Sequence, residues 1–519
     1  MPFDTRQPLS IQSARTINVG RGSGGGGISG QLILPAGNVI ASRFIPLTIT
    51  NAWADADCSP NSAHRNAYPG LPWDYLLSAR GGCWPYYWEI IDGPTGLALQ
   101  GNPTIEQGTG RLIFGGNYER LLWENTVAGN HPITVRCTDQ LGAQDTSTFT
   151  LNCGTLNHVF INTNPAIGSN SNDGTINNPL LDDFGLHGGT SEGNTHDGKT
   201  VWVQGTFVLQ GMSDANSNYR LSGSAPRVFR GIPGEKGEII QRSWFVNQGG
   251  SDVHFSNLFV SHDDDGWSSE QTNRKQWALL SGGSRIELVD ITCENYGVGP
   301  TSNSNPAHVY SSRTLTDNLI LKNWDVSGEF GTIFNTYITQ NSLFENLNVH
   351  DGSMINGDSS SNQHVFRLKG GDHYNTVMRG NKLFKNITWL TGNGGIGIAS
   401  YPEDGVDICY NKVWRPDARA LNQYGGSSGN LIDPIRNIHV YRNSFNTASW
   451  AGNNKNIKDE FWENNIFTET DEITSQDPEA LINVNNIYNQ PVVDLASEFQ
   501  IRPEFQNLIG THGADLYVE

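Results

Sequence analysis

Thr332-Ile333-Phe334, a short polar stretch and then Leu343-Phe344-Glu345-Asn346 make one unit: a short strand, a tight turn and a second strand ending in Asn. The unit recurs at Trp277-Ala278-Leu279-Leu280 with Arg285-Ile286-Glu287-Leu288, and at His308-Val309-Tyr310 with Leu319-Ile320-Leu321. Further copies lie at His364-Val365-Phe366-Arg367-Leu368 with Thr376-Val377-Met378, and at Ile396-Gly397-Ile398 with Val406-Asp407-Ile408. A third short strand and a longer loop complete each copy. Strands that stay constant while loops vary, at intervals of roughly 23 to 35 residues, read as a solenoid in which each coil pairs only with its neighbours.

Composition agrees. The chain has 519 residues with 59 Gly and only 16% charged residues, and no window sustains apolar residues at helical spacing, so an all-β, turn-rich chain is expected. It divides near residue 155. Before that point Gln31-Leu32-Ile33-Leu34, Pro46-Leu47-Thr48-Ile49-Thr50 and Trp88-Glu89-Ile90-Ile91 alternate between Gly, Pro and Asn clusters, as in a β-sandwich of short antiparallel strands. The Gly20 to Gly27 stretch lacks the following helix that a phosphate-binding loop needs. The expected organisation is a sandwich over residues 1–154, a solenoid over 155–490 and a C-terminal tail or cap over 491–519.

Two segments carry family resemblances. His131-Pro132-Ile133-Thr134-Val135-Arg136-Cys137 to Gly142, followed by Thr146 to Leu151, resembles the closing hairpin of immunoglobulin-like and cadherin-like domains. His158-Val159-Phe160-Ile161-Asn162, Gly168 to Thr175, Asn178-Pro179 and Thr200-Val201-Trp202-Val203-Gln204-Gly205-Thr206-Phe207 resemble the opening coil of right-handed parallel β-helix proteins. Those families include polysaccharide lyases, epimerases and phage tail spikes. The resemblance implies a right-handed parallel β-helix and a polysaccharide partner.

The charge balance narrows the partners. With a net charge of −19 and no Lys/Arg-rich run, the chain lacks the clustered cations that phosphate backbones require, so nucleic acid is not expected. No long apolar run suggests a membrane span. Met1-Pro2-Phe3-Asp4-Thr5-Arg6-Gln7 has neither part of a secretory signal, so synthesis in a cytoplasm is expected unless a signal was removed. Of six cysteines, Cys58, Cys83, Cys137 and Cys153 lie early with pairing left open, and Cys293 and Cys409 read as buried thiols.

Alternation along the first strand of each unit places Tyr310, Phe334, Phe366 and Ile398 inward. Ser311, Asn335, Arg367 and Ala399 then form one outward column, and Arg313, Tyr337, Lys369 and Tyr401 the next. Tyr faces stack on sugar rings while Arg and Lys neutralise carboxylates or sulfates, so this column suits an anionic glycan. In a lyase, Lys369 would be the base, Tyr337 or Tyr401 the acid, and Arg313 or Arg367 the stabiliser of developing charge. The strand Arg367-Leu368-Lys369-Gly370-Gly371-Asp372 resembles the lysine-bearing coil of alginate and chondroitin lyases. It departs from them in having no acid between His364 and Leu368 and in carrying Ser400-Tyr401 on the next coil. A solvated column without catalysis is the competing reading.

A second candidate is a column of carboxylates after the third strand, Asp263, Glu294, Glu329 and Asp351, of which two would serve glycoside hydrolysis. Ordinary turn chemistry explains the same residues. Asp263 and Asp265 in His262-Asp263-Asp264-Asp265-Gly266 are the candidate Ca²⁺ ligands, but the alternating spacing of a calcium loop is missing and a solvated acidic loop fits better. No other cofactor is implied. The expected roles are a virion protein resembling a tail spike, partnered by other virion proteins and by itself as a homotrimer, or else a secreted bacterial lyase or hydrolase. A non-catalytic structural surface protein is the third. The lack of coiled-coil heptads near Asp494 to Glu519 tells against a spike.

Overall fold

The computed structural model describes residues 16–18, 31–33, 40–101, 104–105, 112–113, 119–162, 164–169, 171–181, 198–209, 219–222, 227–241, 245–262, 278–280, 282–294, 307–311, 315–327, 332–336, 339–350, 366–369, 373–383, 396–399, 403–413, 421–424, 435–446, 448–451, 457–469, 481–490, 492–494, 500–508 and 512–514. The chain is all-β, a right-handed parallel β-helix preceded by a β-sandwich. Right-handed crossover is the sense that parallel connections take.

The solenoid is built on a sheet of 20 strands, parallel throughout, and a second parallel sheet of nine. In the large sheet Phe255 pairs with Leu288, Leu288 with Leu321, Leu321 with Phe344, Phe344 with Met378, Met378 with Ile408, Ile408 with Val440 and Val440 with Trp462. This inward column is buried from end to end. The nine-strand sheet contributes Phe334 and Phe366, in register and buried.

Asn at the end of a strand marks the bend between two arms of the large sheet. Asn257, Asp290, Asn323 and Asn346 all have φ between 52° and 57°, the left-handed region that Asn and Asp tolerate better than other side chains. Their side chains link coil to coil, Asn346 donating to Asn323 at 2.7 Å and Asn323 to Asp290 at 3.1 Å. Later coils add a buried amide ladder. Asn381 donates to Asn411, Asn411 to Asn443, Asn443 to Asn465 and Asn465 to Asn486, at 2.8 to 3.0 Å.

In the sandwich, strands Asn66–Ala67, Gln144–Cys153, Gly129–Thr138 and Tyr87–Asp92 form one sheet in that order, and Trp73–Leu76, Arg120–Trp123 and Leu97–Gln100 the other. Trp73, Tyr75, Leu121, Ile133, Val135 and Phe149 fill the space between them. The expected hairpin forms with Val135 opposite Ser147. All six cysteines are free, and five are buried.

The sandwich lies on the outward face of the large sheet and buries it. One outward column there runs His254, Glu287, Ile320, Leu343, Val377, Asp407 and His439; the next runs Ser256, Val289, Lys322, Glu345, Arg379, Cys409 and Tyr441. Every one of these residues is buried. Charges are matched across the seam. Lys322 is bonded to Glu119 of the sandwich and lies 3.6 Å from Glu345, while Arg379 reaches Glu345 at 2.7 Å and the Tyr86 hydroxyl at 2.6 Å. Tyr75 donates to Glu287 at 2.9 Å. Burial pushes the Glu119 carboxyl up. Burial acts on Glu345 in the same way, but Arg379 and Lys322 outweigh it and hold that carboxyl below its usual range.

After the last coil, Val493–Asp494 and Gln500–Ile501 pair antiparallel, and a 3₁₀ segment covers Pro503–Leu508. Among the described residues no helix is long and apolar enough to cross a membrane.

Candidate functional site: a polar cleft between sandwich and solenoid

Where one rim of the sandwich meets the bend of the solenoid, a cleft of about 680 Å³ opens to solvent. The volume falls in the range of ligand pockets. Alternation builds its sandwich wall. Along Trp73–Leu76 and Arg120–Trp123, Trp73, Tyr75, Leu121 and Trp123 point into the sandwich core, which leaves Asp74, Arg120 and Leu122 on the cleft side. The solenoid wall is the left-handed column Asn257, Asp290 and Asn323, with Thr292 and Asp325 two residues further on in register with each other.

Arg120 ties the walls together, bonding Asp74 at 2.5 Å and Asp290 at 2.6 Å. Burial works against its charge, but Asp290 and Asp74 overcome that and hold the guanidinium above its ordinary range. Behind it Arg230, fully buried, also bonds Asp74 and lies 4.9 Å over the Trp202 ring. Burial lowers its pKa, and Asp74 offsets part of that.

Asp325 is different. It is half exposed, and its Oδ1 accepts hydrogen bonds from Asn348 at 2.7 Å and from His350 at 3.1 Å. Both bonds fall on one oxygen, so the other keeps its acceptor capacity. Across the cleft Glu124 is exposed on the sandwich side, and Lys236, also exposed, donates to Thr292. The site therefore has a rigid ion-paired floor and two accessible carboxylates, one on each domain.

Most of the residues singled out from the sequence, Arg313, Tyr337, Tyr401, Glu329, Asp351, Asp263 and Asp265, lie outside the described residues. Arg367 and Lys369 fall in strand Phe366–Lys369; Arg367 pairs with Asn335 and Gly397, and Lys369 with Ala399. The columns expected from alternation do not keep their register. Phe334 is level with Val309 rather than Tyr310, a one-residue slip that puts Tyr310 in phase with Asn335 of the expected outward column, and Phe366 is level with Ile396 rather than Ile398, a two-residue slip that sets Lys369 level with Ala399 where residue 401 was expected. Glu294 is exposed just after strand Gly283–Cys293. Cys293 pairs with Val326, and Val326 with Val349, which brings residue 294 level with Ser327 and His350.

Asp290 occupies the position that is Asn on neighbouring coils, the recurrent strand end legible in the sequence; Asp325, two residues past Asn323, had no signal of its own. Asp74, Arg120 and Glu124 had none, because nothing in the sandwich sequence marks which face meets the solenoid.

Among solved structures, the chain is similar to a family 28 exopolygalacturonase from Yersinia enterocolitica, with a TM-score of 0.33 and 8% identity over 86% of this chain and 99% of that one. No protein-family model matches the sequence, and no curated protein matches it.

Proposed function

We propose that this protein binds a polysaccharide, and that the cleft between sandwich and solenoid is the glycan site. The observation that carries the reading is the pairing of an ion-locked floor, Asp74–Arg120–Asp290, with accessible hydrogen-bonding groups on both walls. A sugar chain presents many hydroxyls and little apolar surface, so it suits a polar cleft whose shape is already set. Binding measured by affinity electrophoresis is expected to weaken about tenfold in Asp325→Ala, the loss of one hydrogen bond to a charged group. Unchanged binding in that variant would remove the cleft from consideration.

Cleavage is a second reading, favoured by the orientation of Asp325. A carboxylate held through one oxygen by Asn348 and His350, in a cleft that Glu124 also lines, supplies the two residue types of a glycoside hydrolase pair. Release of reducing ends without ultraviolet absorbance from unsaturated uronates, abolished in Asp325→Asn and in Glu124→Gln, would support hydrolysis. Absorbance abolished in Lys369→Ala would favour a lyase acting at the outward column of the nine-strand sheet instead.

In its finer form the proposal makes the chain a virion protein resembling a phage tail spike, with the sandwich, immunoglobulin-like by its hairpin, next to the attachment end. A trimer in solution, weighed by light scattering, is expected for a spike; a monomer fits a secreted depolymerase.

A further inference from the structure

The charges of the cleft bear on which polysaccharide it takes. Resting on the reading of the cleft as the glycan site, we propose that it accepts an uncharged polysaccharide and rejects polyuronates and sulfated chains.

Four carboxylates line the cleft, Asp74, Glu124, Asp290 and Asp325, against two cations, Arg120 and Lys236. The cation in the floor is held from two sides. Arg120 is clamped between Asp74 and Asp290, and Asp74 is shared with the buried Arg230. For a uronate to reach Arg120 it would have to displace Asp74 or Asp290 and break a largely buried ion pair, which is unfavourable. Lys236 is exposed, where water and salt weaken its pull on an anion. An anionic chain would therefore meet the accessible Glu124 and Asp325 with no free buried cation among the described lining residues to compensate.

A neutral chain meets the reverse situation. Its hydroxyls donate to carboxylate oxygens, and charge-assisted bonds of that kind are stronger than those between neutral partners. Asp325 is prepared for one, since Asn348 and His350 occupy only Oδ1. Selection by charge here is exclusion, because like charges in the cleft oppose the wrong chain more than any contact favours the right one.

The test is affinity electrophoresis of the full chain in gels carrying dextran, galactomannan or β-glucan, and in gels carrying polygalacturonate, alginate or dextran sulfate. Wild type is expected to be retained on at least one uncharged gel about tenfold more strongly than on any anionic gel, with retention weakened in Asp325→Ala. Glu124→Lys combined with Asp325→Lys should lose that retention and gain retention on polygalacturonate that fades at high salt, with circular dichroism confirming the fold. Retention of wild type on an anionic gel, weakened in Asp325→Ala, would overturn the charge class while leaving the cleft as the site. No retention on any gel, or retention that none of these substitutions changes, would overturn both.

Discussion

His158 shows how one buried side chain sets a pH dependence. Its Nδ1 accepts from Trp202 Nε1 at 2.9 Å, which leaves Nε2 to donate to the Ala67 carbonyl at 3.1 Å. The ring is thus a neutral bridge from sandwich to solenoid, and a proton on Nδ1 would set two donors against each other. Burial depresses its pKa to about 4, and that of the fully buried His64 likewise to about 4. A histidine with a depressed folded pKa is neutral in the fold and charged in the unfolded chain below pH 6.5, so its contribution is lost as pH falls from 6.5 toward 4. Each amounts to about 2 kcal/mol at pH 5. Asp407 works in the opposite direction, since burial raises its carboxyl to about 7 and it gains a proton in the fold over the same interval. The two histidines outweigh one aspartate. Urea midpoints are expected to fall from pH 7 to pH 5, and to fall less in His158→Gln; a midpoint that rises on acidification would show that Asp407 dominates.

The amide ladder is the feature of the coil with the most at stake. Asn443 donates to Ile408 O at 2.8 Å and to Asn465 at 2.9 Å, and its own Oδ1 accepts from the backbone and side chain of Asn411. Replacing it by Ala removes side-chain bonds to the coils on either side and leaves the Asn411 amide without its acceptor, a loss of about 2–4 kcal/mol. Asn486, the last rung described, is partly exposed and supports fewer neighbours, so Asn486→Ala is expected to shift the urea midpoint by less than half as much. Equal shifts would mean that the ladder contributes no cooperativity along the coils. The strand-end Asn of Leu343-Phe344-Glu345-Asn346, which belongs to the left-handed column, was legible in the sequence. The ladder from Asn381 to Asn486 was not, because the loops between coils differ in length and only the folded register brings the amides level.

At the scale of the molecule, sandwich and solenoid share a buried seam. Lys322, Glu345 and Arg379 alternate with core residues and carry charge, a pattern usually assigned to a face in water, yet each is buried against Glu119, Tyr86 and their neighbours. Removing the charge of Glu345 leaves Lys322 and Arg379 with less than they need, so Glu345→Gln is expected to destabilise by about 3–5 kcal/mol. The full chain should unfold in one transition, with tryptophan fluorescence and far-ultraviolet circular dichroism coinciding. Residues 155–519 alone should aggregate, since they would present Ile320, Leu343 and Val377 to water beside unpaired charges. Two separated transitions would instead mean that the seam does not couple the domains.

The repeat of short strands, the strand-end Asn and the alternation of apolar residues determined the β-helix and the sandwich before it, because period-two patterning and turn chemistry are local properties written in neighbouring residues. The tertiary structure alone decided which outward face meets the sandwich, where the cleft opens and which carboxylates stay accessible. Those depend on contacts such as Arg120 with Asp290, separated by 170 positions in the chain, and on a register between coils that variable loops conceal.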